Sequence, residues 1–122
     1  MKRLPTIAMT PMPEYGYFDP LEQILKREKQ QTLRKGRHHG RKEITVGGKR
    51  TGIVIEFCAW RLMYDYHFLT HSFALADGFV ATQGATPMKN LRAFLEHFHG
   101  EVPEAMWCNH FRVVQRPEEE QK

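Results

Sequence analysis

Seven histidines and two cysteines are the residues of this chain best suited to metal or nucleophilic chemistry. His97, His99, Cys108 and His110 put four soft or borderline ligands within 14 residues, the number a structural zinc requires. Their spacing argues the other way. Residues two apart on a helix do not share a face, and no Cys-x2-Cys knuckle is present. His97 and His99 read as the exposed end of a helix, where imidazolium also suits the dipole. Cys108 reads as a small apolar residue beside Trp107. These four are the leading metal candidates, and the expectation is no metal and no cofactor. Cys58, between Phe57 and Ala59, reads as core rather than nucleophile.

Other catalytic sets are thin. Ser72 is the single serine, with no glycine-rich elbow around it. The aspartates are Asp19, Asp65 and Asp77; Asp19 reads as a helix cap and Asp77 as a turn residue. A paired-carboxylate site would need Asp65 or Glu56, and nothing brings those together. Gly47-Gly48-Lys49-Arg50-Thr51 lacks the first glycine and the following helix of a phosphate-binding loop, and a hairpin turn explains it better. The chain is expected not to be an enzyme.

What remains is charge. The 122 residues carry a formal net charge of +4. Residues 26–50 hold ten bases against two acids, a net +8, so the rest of the chain is mildly acidic. A one-signed field over 25 residues attracts polyanions. The candidate binding residues are Arg34, Lys35, Arg37, His38, His39, Arg41, Lys42, Lys49 and Arg50. Gly36 and Gly40 let a loop follow a phosphate backbone, while His38 and His39 can donate or stack. Arg37, Arg41, Lys49 and Arg50 converge if the hairpin folds beside that loop. The expected partner is DNA or RNA, bound without sequence preference. The alternatives are an acidic protein docked on the same belt, or a place within a larger assembly whose contacts order the tails; the belt also reads as a solvated face.

The elements that must position these residues begin with an arm. Residues 1–18 hold Pro5, Pro11 and Pro13 together with Tyr15, Tyr17 and Phe18, and read as an extended segment whose aromatics dock on this domain or on a partner. Asp19-Pro20-Leu21-Glu22 starts a helix over 20–34, with Leu21, Ile24 and Leu25 as its short apolar face. Residues 35–42 form a loop. Strands are expected at 43–46 and 53–60, joined through a turn at Gly47-Gly48. Residues 61–71 fit strand or helix. Phe73–Ala76 and Phe79–Thr82 read as a hairpin about Asp77-Gly78, with a helix ending at Gly78 as the rival. Pro87–His99 is the clearest helix: Thr86 caps it, Gly100 closes it, and Met88, Leu91, Phe94, Leu95 and Phe98 make one stripe. A last strand follows over 107–114, and Glu118-Glu119-Glu120 belongs to an acidic tail at 117–122.

The fold class is therefore α+β. A single small domain over 19–116, with an antiparallel sheet of three to five strands, packs on one main helix at 87–99. The order helix, strands, helix is shared with double-stranded RNA-binding domains. Their Lys-Lys-x-Ala-Lys signature is missing here, where Pro87-Met88-Lys89-Asn90-Leu91 stands. No apolar run approaches the roughly 20 residues that span a bilayer, so no membrane role is expected. Two cysteines and an N-terminus broken by prolines suit the reducing cytoplasm. The oligomeric state is not legible.

Overall fold

A computed structural model describes residues 3–117; the expected acidic run Glu118–Glu120 lies outside them. It is a small α+β domain built on a curled, mixed sheet of five strands: β1 (Thr6–Ala8), β2 (Gln31–Arg34), β3 (Arg41–Val46), β4 (Lys49–Tyr64) and β5 (Ala105–Gln115). The order across the sheet is β1-β3-β4-β5-β2. Neighbours run antiparallel except β1, which pairs parallel to β3 with Ile7 opposite Ile44. The wholly antiparallel sheet is thus corrected by the N-terminal segment. It supplies a strand because Ile7 and Met9 bury apolar side chains with exposed Ala8 between them.

Three α-helices accompany the sheet among the described residues, besides a short 3-10 turn at Pro13–Tyr15: α1 (Pro20–Leu25), α2 (His71–Ala76) and α3 (Pro87–His99). The expected helix over 20–34 stops nine residues early. Asp19 caps it and Pro20 opens it as the sequence implies, but Arg27 turns left-handed at φ 64° and Gln31–Arg34 pair with β5 as β2. Local helix preference is weak where Lys26–Lys35 has no apolar face, and strand pairing overrides it. The hairpin about Asp77-Gly78 is likewise corrected. Thr70 caps α2 by accepting from the Phe73 amide, and Asp77 is its C-cap. Residues 61–71 divide, with β4 running to Tyr64 and turns following it.

The helix at 87–99 stands as expected, with Leu91 and Leu95 buried, although Met88 and Phe98 at the ends of its stripe are exposed. Two apolar clusters hold the domain. One joins α2 and α3 to Leu33, Met63, Met106 and Cys108; the other gathers Ile7, Ile24, Ile44, Ile53, Ile55, Phe57 and Phe111. Register shifts between β4 and β5 at Phe57/Ala59 mark a β-bulge. Cys58 sits in it and is exposed, which corrects its reading as core: next to buried Phe57, it points to the other face.

Candidate functional site

The belt is not one surface. Strand β3 separates its two ends by about 17 Å of extended chain, so Lys49 and Arg50 at the hairpin do not converge with Arg37 and Arg41. Several of its charges are also already engaged. Arg41 pairs with Glu56 at 3.0 Å and Arg50 with Glu43 at 2.8 Å, while a second Arg50 nitrogen donates to the Leu4 carbonyl at 3.0 Å. Lys42 Nζ lies 2.6 Å from His38 Nδ1. Burial and the neighbouring Lys42 cation push His38 down to about 4, so its ring is neutral at pH 7 and accepts from the lysine. Lys35, Arg37 and Lys49 are exposed, and no ion pair engages them among the described residues.

The loop at 35–40 is held in one shape from beneath. Asn109 is fully buried; its Oδ1 accepts from the His38 amide at 2.8 Å, and its Nδ2 donates to the carbonyls of Gly36, Trp107 and, at 3.4 Å, Thr32. Trp60 Nε1 donates to the His38 carbonyl at 2.7 Å. The loop therefore presents its side chains outward from a fixed backbone. Arg37 lies over the Trp107 ring, 5.2 Å from its centroid, and the His39 ring lies 4.9 Å from that of Trp60.

Two bases of the belt turn inward instead. Lys29 is 1% exposed; its Nζ donates to the carbonyls of Gln31 at 2.8 Å and Asp77 at 2.6 Å, and lies 3.9 Å from Asp77 Oδ1. Burial lowers the Lys29 amine from its ordinary range and pushes the Asp77 carboxyl up to about 6. Arg34, half-buried, reaches across the curled sheet from β2 to donate to the Ala8 carbonyl of β1 at 2.7 Å. Desolvation depresses it too. Lys29, Thr32, Arg34, Tyr17 and Asp77 line a cavity of about 370 Å³ whose other walls include Met9, Phe79, Phe94 and Phe98. The Gln31 side chain and the Leu33 backbone amide lie against the Asp77 carboxyl and, with the Lys29 and Arg34 cations, partly offset the burial that raises it.

The arm's aromatics are mostly taken up by the domain itself. Tyr17 is buried and stacks on Phe79 at 5.0 Å, Tyr15 packs edge-on against Phe94 at 6.1 Å, and Phe18 remains exposed. The four metal candidates are not gathered into one site. Cys108 Sγ lies 3.5 Å from His110 Nε2, with the thiol pushed up to about 11 by burial, while His97 packs on Tyr15 and His99 lines the cavity.

Sequence reading missed Lys29, Asp77 and Asn109. Lys29 looked like its neighbours in a basic run, and Asp77 had a sufficient explanation as a turn residue. The one available signal was the apolar company of Asp77, between Leu75-Ala76 and Phe79.

No protein-family model and no curated protein matches the chain. Solved structures do match its fold. A protein of Enterococcus faecalis described by the family model DUF984 superposes with a TM-score of 0.62 over 99% of this chain and 83% of its own, at 16% identity. An ASCH domain from Lactobacillus crispatus superposes at 0.56 over 78% of this chain and 70% of its own, at 19% identity. At such identities the likeness is one of fold. No helix among the described residues is long and apolar enough to cross a membrane.

Proposed function

We propose that this chain is a non-enzymatic accessory protein that contacts the backbone of nucleic acid, and that the contact is centred on the loop at 35–40 rather than spread over the whole belt. The observation that carries this is the loop's construction. Lys35 and Arg37 are exposed, the backbone beneath them is pinned by Asn109 and Trp60, and aromatic rings lie directly under Arg37 and His39. Fixed cations lose less entropy on meeting phosphate than mobile ones, and neutralising phosphates releases counterions. Lys49, about 17 Å along β3, extends the positive field without sharing the site.

Electrophoretic mobility shift with arbitrary RNA and DNA at low salt tests the reading. Binding that weakens with salt, at the slope of a few neutralised phosphates, supports it. Absence of binding, or capture only by an acidic polypeptide, overturns it in favour of a protein-docking belt.

A second reading rests on the cavity. An amine depressed by burial, a carboxyl held near 6 and a threonine hydroxyl on one wall are groups that can move protons on a small enclosed ligand. Its test is stabilisation by small polar ligands that is lost in Lys29→Met but retained in Arg37→Ala.

A further inference from the structure

Trp60, Leu62 and Tyr64 alternate along β4 and lie opposite Asn109, Trp107 and Ala105 of β5. Directly opposed residues share a face, so Trp60 and Trp107 are diagonal neighbours on one face, about 7–8 Å apart at Cα. Leu62 and Tyr64 on that face are 44% and 52% exposed, and both tryptophans are half-buried. Large apolar groups left open in this way are unusual unless something covers them. The side chains around the patch say what. Arg37 lies over the Trp107 ring and the His39 ring packs on Trp60; Arg37 has no ion pair among the described residues, and Lys35, a second cation, is nearby in the same loop. The acids Asp65 and Glu104 lie at the Tyr64–Ala105 end, which directs any phosphate chain to the tryptophan end.

We infer that Trp60 and Trp107 form a stacking platform for unpaired bases, which displace the exposed side chains of Arg37 and His39 from the two rings and leave Arg37 to meet the phosphates, so that the nucleic acid bound is single-stranded. The inference rests on the nucleic-acid reading above and narrows it. Base faces stack on aromatic rings without regard to sequence, while the adjoining cations hold the phosphates between them. Bases inside a duplex have no free face to offer, so a duplex gains the phosphate contacts alone. The fixed ring of Trp60, tied by its Nε1 to the His38 carbonyl, links the platform to the loop that carries the charge.

The chain has only these two tryptophans, so its tryptophan fluorescence, excited selectively over the four tyrosines, reports on this site alone. Titration of the full chain at low salt with oligothymidylate or oligouridylate, with an abasic strand of equal length and with a duplex separates the possibilities. Strong quenching by the base-bearing strands is expected, with affinity at least about tenfold above the abasic strand. Trp107→Ala should abolish that preference, and Trp107→Phe should keep most of it. Equal affinity for all three probes with a shared salt slope overturns the platform while the backbone reading survives. No binding by any probe at low salt overturns both. The comparison of probes on the unaltered protein decides the matter even if Trp107→Ala does not fold.

Discussion

A buried ammonium must find its hydrogen bonds inside the protein, and Lys29 finds two backbone carbonyls, those of Gln31 and Asp77. Lys29→Met removes both bonds and exposes Asp77 to an uncompensated burial, so it should cost on the order of 3 kcal/mol in denaturant unfolding. The Asp77 carboxyl, raised from 3.8 to about 6, favours its protonated form in the folded state. Its contribution is fully present below about pH 4 and is lost as pH rises through 6. Stability measured from pH 4 to 7 should therefore carry a downward component that disappears in Asp77→Asn. His38 has the opposite sign. A base depressed from 6.5 to about 4 stabilises the fold above 6.5, and that contribution is lost as pH falls toward 4. Proton NMR should find the His38 ring titrating near 4, and a midpoint near 6.5 would mean that neither the burial of the ring nor its Lys42 contact persists in solution.

At the scale of elements, the loop at 35–40 depends on one side chain from another strand. Asn109→Ala strands the His38 amide and the Gly36 carbonyl, and should cost about 2–3 kcal/mol. Amide exchange should rise most at residues 36–38. Gly78 marks the other sensitive junction: at φ +103°, an added Cβ would lie 2.9 Å from Tyr17 Cε1. Gly78→Ala should destabilise by about 1–3 kcal/mol. Elements with a complete local signature were legible from sequence. Helix α3 has its cap, its first proline, its stripe and its closing glycine within one window, and the Gly47-Gly48 turn is equally self-contained. Helix α1 had a clear start and no clear end, because what ends it is β2 pairing with β5 some 75 residues away in sequence. The parallel pairing of β1 has no local signature either. For the site, the loop's charge was legible, but the burial of Lys29 and Arg34 and the diagonal meeting of Trp60 with Trp107 depend on sheet register, which composition does not encode.

Taken as a whole molecule, a net +4 resolves into a fixed basic loop, a hairpin charge held apart from it, and inward bases that hold the curled sheet together. Few of the ten belt bases are left to meet phosphate, so the affinity should be modest and its salt dependence small in absolute terms. The most direct measurement is therefore the slope of log K against log salt for single-stranded oligonucleotide binding, in the unaltered chain and in Lys35→Ala/Arg37→Ala. At about 0.7 per neutralised phosphate, the unaltered chain should show a slope of about −2 to −3, and the double variant should lose about 1 to 1.5 of it. No binding at low salt, or an unchanged slope in the variant, would contradict a nucleic-acid contact at this loop.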